Sequence, residues 1–138
     1  MQFDVLHAWN LAPTAAVALQ KRLTGQVRCE DRLPRQITSV AGVDVSCRLH
    51  SRLFHAAVVV FSYPKLELIE TATASMETDF PYVPGLLSFR ELPVVLKAVE
   101  KLQITPELLL VDGQGRRQTV DPIQVGLGQL VEELMGVA

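Results

Sequence analysis

Residues 37–46, ITSVAGVDVS, carry the strongest structural signal in the chain. β-Branched residues are frequent in this stretch and apolar side chains alternate along it, which is typical of a strand packed on a sheet face. Ala41 and Val43 fall on one face of such a strand, whereas Gly42 and Asp44 fall on the other. The stretch therefore predicts a strand that carries a carboxylate, directed inward or at the sheet face.

Three further apolar runs predict the remaining strands. Residues 56–61 (AAVVVF) are nearly continuous in apolar character, and a turn containing Pro64 leads from them into residues 66–75. These runs predict antiparallel strands in succession. Residues 107–111 (ELLLV) form a short apolar run that opens into Asp112-Gly113, the pattern of a buried parallel strand. We therefore expect a mixed sheet in an α/β fold.

Two helices are expected beside the sheet. Residues 13–28 show apolar positions at helical spacing, with Thr14 as a candidate cap. A second apolar helical face runs to about residue 103. Its start is open, because Ser88 and Glu91 match a capping box that would place Pro93 inside the helix, and a start at Pro93 is the alternative.

Length and composition fit one domain over residues 1–138, since 49% of residues are hydrophobic and 20% are charged. These values exclude disordered, collagenous and disulfide-scaffold proteins. Cys29 and Cys47 have no metal-ligand spacing and predict reduced thiols. No apolar stretch reaches the roughly 20 residues of a membrane span, and the N-terminus lacks a secretion signal. We expect a cytoplasmic protein with no membrane partner.

The net charge of −2 is unevenly distributed. Residues 1–55 contain seven basic and four acidic side chains, a balance of +3, whereas the remainder has a balance of −5. This asymmetry permits a local phosphate-binding face, although solvated surface charge is the more common reason for it.

Three carboxylates are candidate metal ligands: Asp44 on the first strand, Glu91 near the second helix start, and Asp112 at the end of the fourth strand. If the first and fourth strands are neighbours, Asp44 and Asp112 converge at adjacent strand ends. Oxygen ligands of this kind suit Mg²⁺ or Mn²⁺. Each residue also has a simpler interpretation, as an exposed strand residue, a capping partner and a turn residue respectively.

Tyr82 lies in FPYVPG, residues 80–85, which two prolines stiffen and a glycine ends. We expect a rigid, exposed loop here. An exposed, rigid ring can stack on a base with little loss of entropy, so Tyr82 is the best candidate for a nucleic-acid contact. Packing of the ring over the sheet edge is the alternative.

Four runs stand in order along the chain: LHAW at 6–9, VAGVDVS at 40–46, FPYVPGLLSFRE at 80–91, and VDGQG at 111–115. Together they closely resemble the endonuclease V family. The resemblance spans about residues 6–115, and the run at 80–91 is highly specific.

The resemblance implies an RNase H-like fold and an endonuclease that uses Mg²⁺, or alternatively Mn²⁺, to nick DNA on the 3′ side of deoxyinosine. It matches the family's metal-binding carboxylates to Asp44, Glu91 and Asp112, and its strand-separating wedge to Tyr82. It matches the pocket for the everted base to four further positions: Gly85, Leu87, Gly113 and Gly115. Extrusion of a damaged base is physically reasonable, because its pair is easier to unstack.

The tail, residues 116–138, departs from the family. Gln118 stands where the resemblance implies a pocket histidine, and a catalytic lysine and a later helix are missing. We therefore expect a fold that is incomplete at its C-terminus and an activity that is reduced or lost. A catalytically inactive nucleic-acid-binding module and an oligomeric interaction protein are the alternative classes. The choice between DNA and RNA, and the oligomeric state, stay open.

Overall fold

The computed structural model describes residues 7–26, 33–48 and 50–111. These residues form two helices and four strands, in the order α1 (Pro13–Thr24), β1 (Ser39–Cys47), β2 (Leu53–Ser62), β3 (Leu68–Glu77), α2 (Ser88–Val99) and β4 (Leu108–Val111). Within these ranges, neither helix is long and apolar enough to cross a bilayer.

The four strands make one mixed sheet in the order β3-β2-β1-β4. β1 pairs antiparallel with β2, and β2 pairs antiparallel with β3, as the sequence predicts. β4 pairs parallel with β1, so the prediction of a parallel fourth strand is also confirmed. The chain therefore crosses over from β3 through α2 to reach the opposite side of the sheet.

The main core lies between α2 and one face of the sheet. Alternate residues of β1 and β2 point into it, among them Ala41, Val43 and Val58, all buried. From α2, Val95 and Val99 fill the same layer. The alternation predicted for β1 is thus confirmed, and Asp44, which is exposed, belongs to the opposite face of that strand.

α2 begins at Ser88, so a start at Pro93 is wrong, and it ends at Val99 rather than near residue 103. The predicted capping box does not form either, because Leu87 is the N-cap residue and no side chain caps the terminus. A proline within a helix removes one hydrogen bond and costs about 3 kcal/mol or more. Phe89, in the turn before Pro93, is buried. Burial of its side chain stabilises this first turn and offsets the cost of the proline.

A second core joins α1 to the segment that precedes α2. It contains buried side chains from both segments and from the first turn of α2: Ala16, Leu19, Leu23, Phe80, Leu86 and Phe89. Pro13 is the first residue of α1 and Ala12 is its N-cap, so the predicted cap by Thr14 is wrong. Proline at the first helical position replaces it, since the ring sets a helical φ where no N–H is needed. The helix ends at Thr24, earlier than predicted.

β3 lies at an edge of the described sheet, and the residues after α2 cover part of that edge. The Lys101 Nζ donates a hydrogen bond of 2.6 Å to the Thr73 carbonyl of β3. The Glu70 carboxylate of β3 accepts hydrogen bonds from the backbone N–H groups of Gln103 and Ile104, at 2.9 and 3.0 Å. These contacts fix the end of α2 against the strand.

Glu107, directly before β4, fixes the parallel pair at its start. Its carboxylate accepts hydrogen bonds from the backbone N–H groups of Thr38, at 2.6 Å, and Ser39, at 2.9 Å, and from both hydroxyls. These bonds stabilise the ionised form, the Thr38 N–H most strongly, and so lower the pKa of Glu107 below its ordinary value of 4.5.

We expect Glu107→Gln to lower the free energy of unfolding at neutral pH, because an ionised carboxylate accepts these hydrogen bonds more strongly than a neutral amide oxygen does. The folded pKa lies below the unfolded pKa. The carboxylate's contribution is therefore complete above the unfolded value and is lost as the pH falls through the folded value.

Urea unfolding of the unsubstituted protein and of Glu107→Gln at about pH 7 and about pH 3 tests this expectation. The stability difference should be clear at the higher pH and small at the lower. Glu67→Gln, at an exposed position before β3, is the matched control and should change stability little at either pH. A Glu107→Gln difference that does not depend on pH would contradict the expectation.

Candidate functional site

The carboxyl ends of β1 and β4 lie side by side. Val43 of β1 is the register partner of Val111 of β4, the last described residue of that strand. In a parallel pair, residues that follow such partners leave the sheet at the same end. Asp44 follows Val43 in this direction, and Asp112 follows Val111 in the sequence.

Asp44 presents its carboxylate to solvent at this end of the sheet. The side chain is exposed, and its Oδ1 accepts a hydrogen bond of 2.8 Å from the Val45 N–H. A carboxylate has four lone-pair positions, so this single bond leaves acceptor capacity on the same group. Asp44 therefore meets the requirements for an oxygen ligand of a hard cation.

Glu91 lies in the first turn of α2 and is half-buried. The neighbouring Arg90 guanidinium contacts the Phe54 ring of β2, with Cζ 5.1 Å from the ring centroid. Phe54 is the register partner of Cys47, at the carboxyl end of β1. The first turn of α2 is therefore at the same end of the sheet as Asp44.

Two of the three predicted metal ligands, Asp44 and Glu91, lie within the described residues. Within residues 7–26, 33–48 and 50–111, no group of three or more His, Cys, Asp or Glu residues is arranged to hold a metal ion. Asp112, Gly113 and Gly115 lie outside the described residues, as do Gln118 and the rest of the tail. The metal site and the glycine part of the pocket after β4 stay predictions.

The loop between β3 and α2 has a buried base and an exposed tip. Phe80 and Leu86 are buried, and Phe80 stacks on Phe89 with ring centroids 5.5 Å apart. Tyr82, between them, is 67% exposed. The prediction that Tyr82 is an exposed ring is confirmed, whereas Phe80 is buried and not part of the exposed surface.

Gly85 turns the chain from this loop toward α2. Its φ is +84°, and a Cβ added there would meet no atom of the described residues within 4 Å. The Gln20 Nε2 of α1 donates a hydrogen bond of 3.1 Å to the Gly85 carbonyl. Leu87, the N-cap residue of α2, is half-buried. The backbone at Gly85 is thus anchored on one side and open on the other.

Two residues of this site, Arg90 and Gln20, make contacts that the sequence does not indicate. Arg90 lies between two rings, with its Cζ 5.1 Å from the Phe54 centroid and 5.8 Å from the Tyr82 centroid. Gln20 contacts a residue 65 positions away. Neither contact has a local pattern, although Arg90 does adjoin Glu91 within the distinctive run at 80–91.

A family model described as Endonuclease V matches residues 21–130 of the chain. The match covers more than half of the sequence. The chain belongs to the endonuclease V family.

Individual relatives agree with this assignment. Endonuclease V of Nostoc punctiforme is 48% identical over 115 residues, which cover 83% of this chain and 52% of the relative. The crystal structure of endonuclease V from Streptomyces avermitilis has a TM-score of 0.76 and 36% identity, covering 99% of this chain and 59% of that one. The chain thus spans about half the length of the curated relatives that it matches.

A third relative carries a bound nucleic acid. Endonuclease V of Ciona intestinalis, in complex with a 24mer DNA containing an inosine followed by a ribo-adenosine, has a TM-score of 0.64 and 25% identity. The match covers 74% of this chain and 46% of that one. The fold described above is therefore that of endonuclease V structures.

We expect Gly85→Ala to destabilise the protein by about 1–2 kcal/mol, the cost of placing a side chain in the left-handed region. Gly25→Ala is the matched control. Gly25 has a φ of −74°, and its added Cβ would make only an ordinary contact of 3.7 Å with the Arg22 carbonyl. The control should leave stability unchanged or slightly raised. Urea unfolding of both variants tests this, and equal effects would contradict it.

Proposed function

We propose that the chain carries the metal-binding and base-recognising part of an endonuclease that hydrolyses a phosphodiester in DNA on the 3′ side of deoxyinosine. Asp44, Glu91 and Asp112 are the proposed ligands of Mg²⁺, with Mn²⁺ as the alternative ion. Family membership supports the nuclease class, and the inosine-containing DNA bound by the Ciona intestinalis relative supports the substrate.

The parallel register of β1 and β4 is the observation that carries this proposal. Val43 pairs with Val111, and the residue that follows each of them in the sequence is an aspartate. Both strands run toward the same end of the sheet. The Arg90–Phe54 contact brings the first turn of α2, with Glu91, to that end. We propose that Glu91 meets Asp44 and Asp112 at that end of the sheet.

The chemical nature of these ligands fits a hard divalent cation. All three are carboxylates, and Asp44 is exposed with one of its oxygens bonded only to a neighbouring N–H. Oxygen ligands of this kind select Mg²⁺ or Mn²⁺ over softer metals. When bound, such an ion polarises the phosphodiester and lowers the pKa of a coordinated water.

The remaining proposed residues recognise the base. Tyr82, exposed on its anchored loop, is proposed to wedge into the duplex where the lesion base is extruded. Gly85 and Leu87 are proposed to line one side of the base pocket, and the open space at Gly85 permits close approach of a planar ring. Gly113 and Gly115 are proposed to line the other side.

We expect Mn²⁺ to raise the melting temperature of the purified chain, because a ligand that binds only the folded state stabilises it. The increase should disappear in Asp44→Asn, which replaces one proposed ligand. Asp79→Asn removes the same charge at an exposed aspartate that pairs with Arg52, and it should retain the increase. An equal response of both variants to Mn²⁺ would contradict the proposed ligand role of Asp44.

We expect the chain, supplied with Mg²⁺, to nick a DNA duplex containing one deoxyinosine on the 3′ side of that base, at a reduced rate because residues 116–138 depart from the family pattern. A duplex with deoxyadenosine at the same position should stay intact. Asp112→Asn should reduce the nicking rate by at least about a hundredfold, since loss of a metal ligand removes transition-state charge stabilisation. Gel analysis of an end-labelled strand measures both rates, and an RNA strand with inosine tests the ribose preference.

Binding without cleavage would overturn the catalytic part of this proposal. In that case the inosine duplex should bind in EDTA with an affinity that falls as salt rises, as expected for phosphate contacts. This outcome would assign the chain to the inactive binding class. Absence of both cleavage and binding would overturn the nucleic-acid function altogether.

A further inference from the structure

Arg90 has an unusual environment for a charged side chain in the first turn of a helix. It is half-buried, and its guanidinium lies near two aromatic rings, 5.1 Å from the Phe54 centroid and 5.8 Å from the Tyr82 centroid. Its Nε is buried and has no hydrogen-bond partner in the described part of the chain. The contacts with these two rings therefore orient the Arg90 guanidinium.

The two rings differ in how firmly they are held. Phe54 is 2% exposed within the main core and belongs to β2, whereas Tyr82 is 67% exposed at the tip of a loop. A guanidinium is planar and can stack on a ring face while it attracts the ring's π electrons. Arg90 thus connects an exposed ring on a loop to a buried ring on a strand.

Two other contacts fix the loop at residues other than Tyr82. Gln20 bonds to the Gly85 carbonyl, and Phe80 stacks on Phe89. Among the described residues, Arg90 contacts the Tyr82 ring through its guanidinium. A ring that must enter a base stack gains from such a contact, because an oriented side chain loses less entropy on binding.

We propose that Arg90 is a positioning residue for Tyr82: clamped on the buried Phe54 ring, its guanidinium holds the exposed Tyr82 ring in the orientation that meets the nucleic acid. The functional half of this inference rests on the proposed function. The structural half, the dependence of the Tyr82 ring on Arg90, does not.

The structural half is tested by NMR of the protein with ring-labelled tyrosine and no ligand. The chain has two tyrosines, so Tyr63, at the turn after β2, serves as an internal reference. Arg90→Met keeps the apolar stem and removes the guanidinium. It should move the Tyr82 ring signals and leave those of Tyr63 in place. Lys97→Gln, which removes a positive charge from the exposed side of the same helix, should move neither.

Arg90→Lys is the second variant, in case Arg90→Met does not fold. It keeps the charge but lacks the planar group, so it should move the Tyr82 signals in the same direction by less. Unchanged Tyr82 signals in a folded Arg90 variant would overturn the proposal.

The functional half is tested by a double-mutant cycle on binding to a deoxyinosine duplex in EDTA, where no cleavage interferes. Arg90→Met should weaken binding by about three- to thirtyfold, the range expected when a cation–π contact is lost. Tyr82→Ala should weaken binding similarly, and the double variant should be no weaker than Tyr82→Ala alone. Binding to the single strand should change much less, because no duplex has to be opened.

The outcomes separate the two failures. Additive losses in the cycle would mean that Arg90 contacts the nucleic acid independently, which overturns the positioning role. If Tyr82→Ala has no effect on duplex binding while Arg90→Met still moves the Tyr82 signals, the proposed function of Tyr82 fails and the ring contact stands.

Discussion

The parallel pairing of β1 with β4 is the constraint on which the candidate site depends. The four described residues of β4 pair with β1 in one register, which sets Val43 beside Val111. Glu107 supports it from the side, because its carboxylate binds the N–H groups of two residues at the start of β1. A slip of one residue would reverse the faces of β4 and carry Leu109 out of the core. Core packing and carboxylate placement thus share one register.

Periodicity along the sequence was enough to predict much of the sheet. The alternation around Val43 indicated which face of β1 is buried, and the apolar run before Asp112 indicated a parallel strand. Both features depend on residues that are close together in sequence. The sequence does not determine which strand pairs with β4, because the pairing of strands more than 60 residues apart depends on the packing of the whole domain.

Contacts between residues that are far apart in the sequence could not be predicted. No pattern near Glu107 indicates that it binds Thr38, and the run containing Arg90 gives no sign of Phe54. The start of α2 was ambiguous for a related reason: local rules disfavour Pro93 within a helix, but burial of Phe89 outweighs them. The placement of three carboxylates made them candidate metal ligands, and the family resemblance supported that role, since separate carboxylates in a sequence do not show that they meet.

The two edges of the described sheet differ in a way that affects assembly. Along β3, the ammonium group of Lys101 occupies the Thr73 carbonyl, and the segment after α2 is bonded to Glu70. A foreign strand that approaches this side meets a positive charge and an occupied acceptor, which are recognised defences against aggregation. β4 has no comparable cover among the described residues. In the described sheet, the edge that these contacts protect is therefore the one farther from β1 and Asp44.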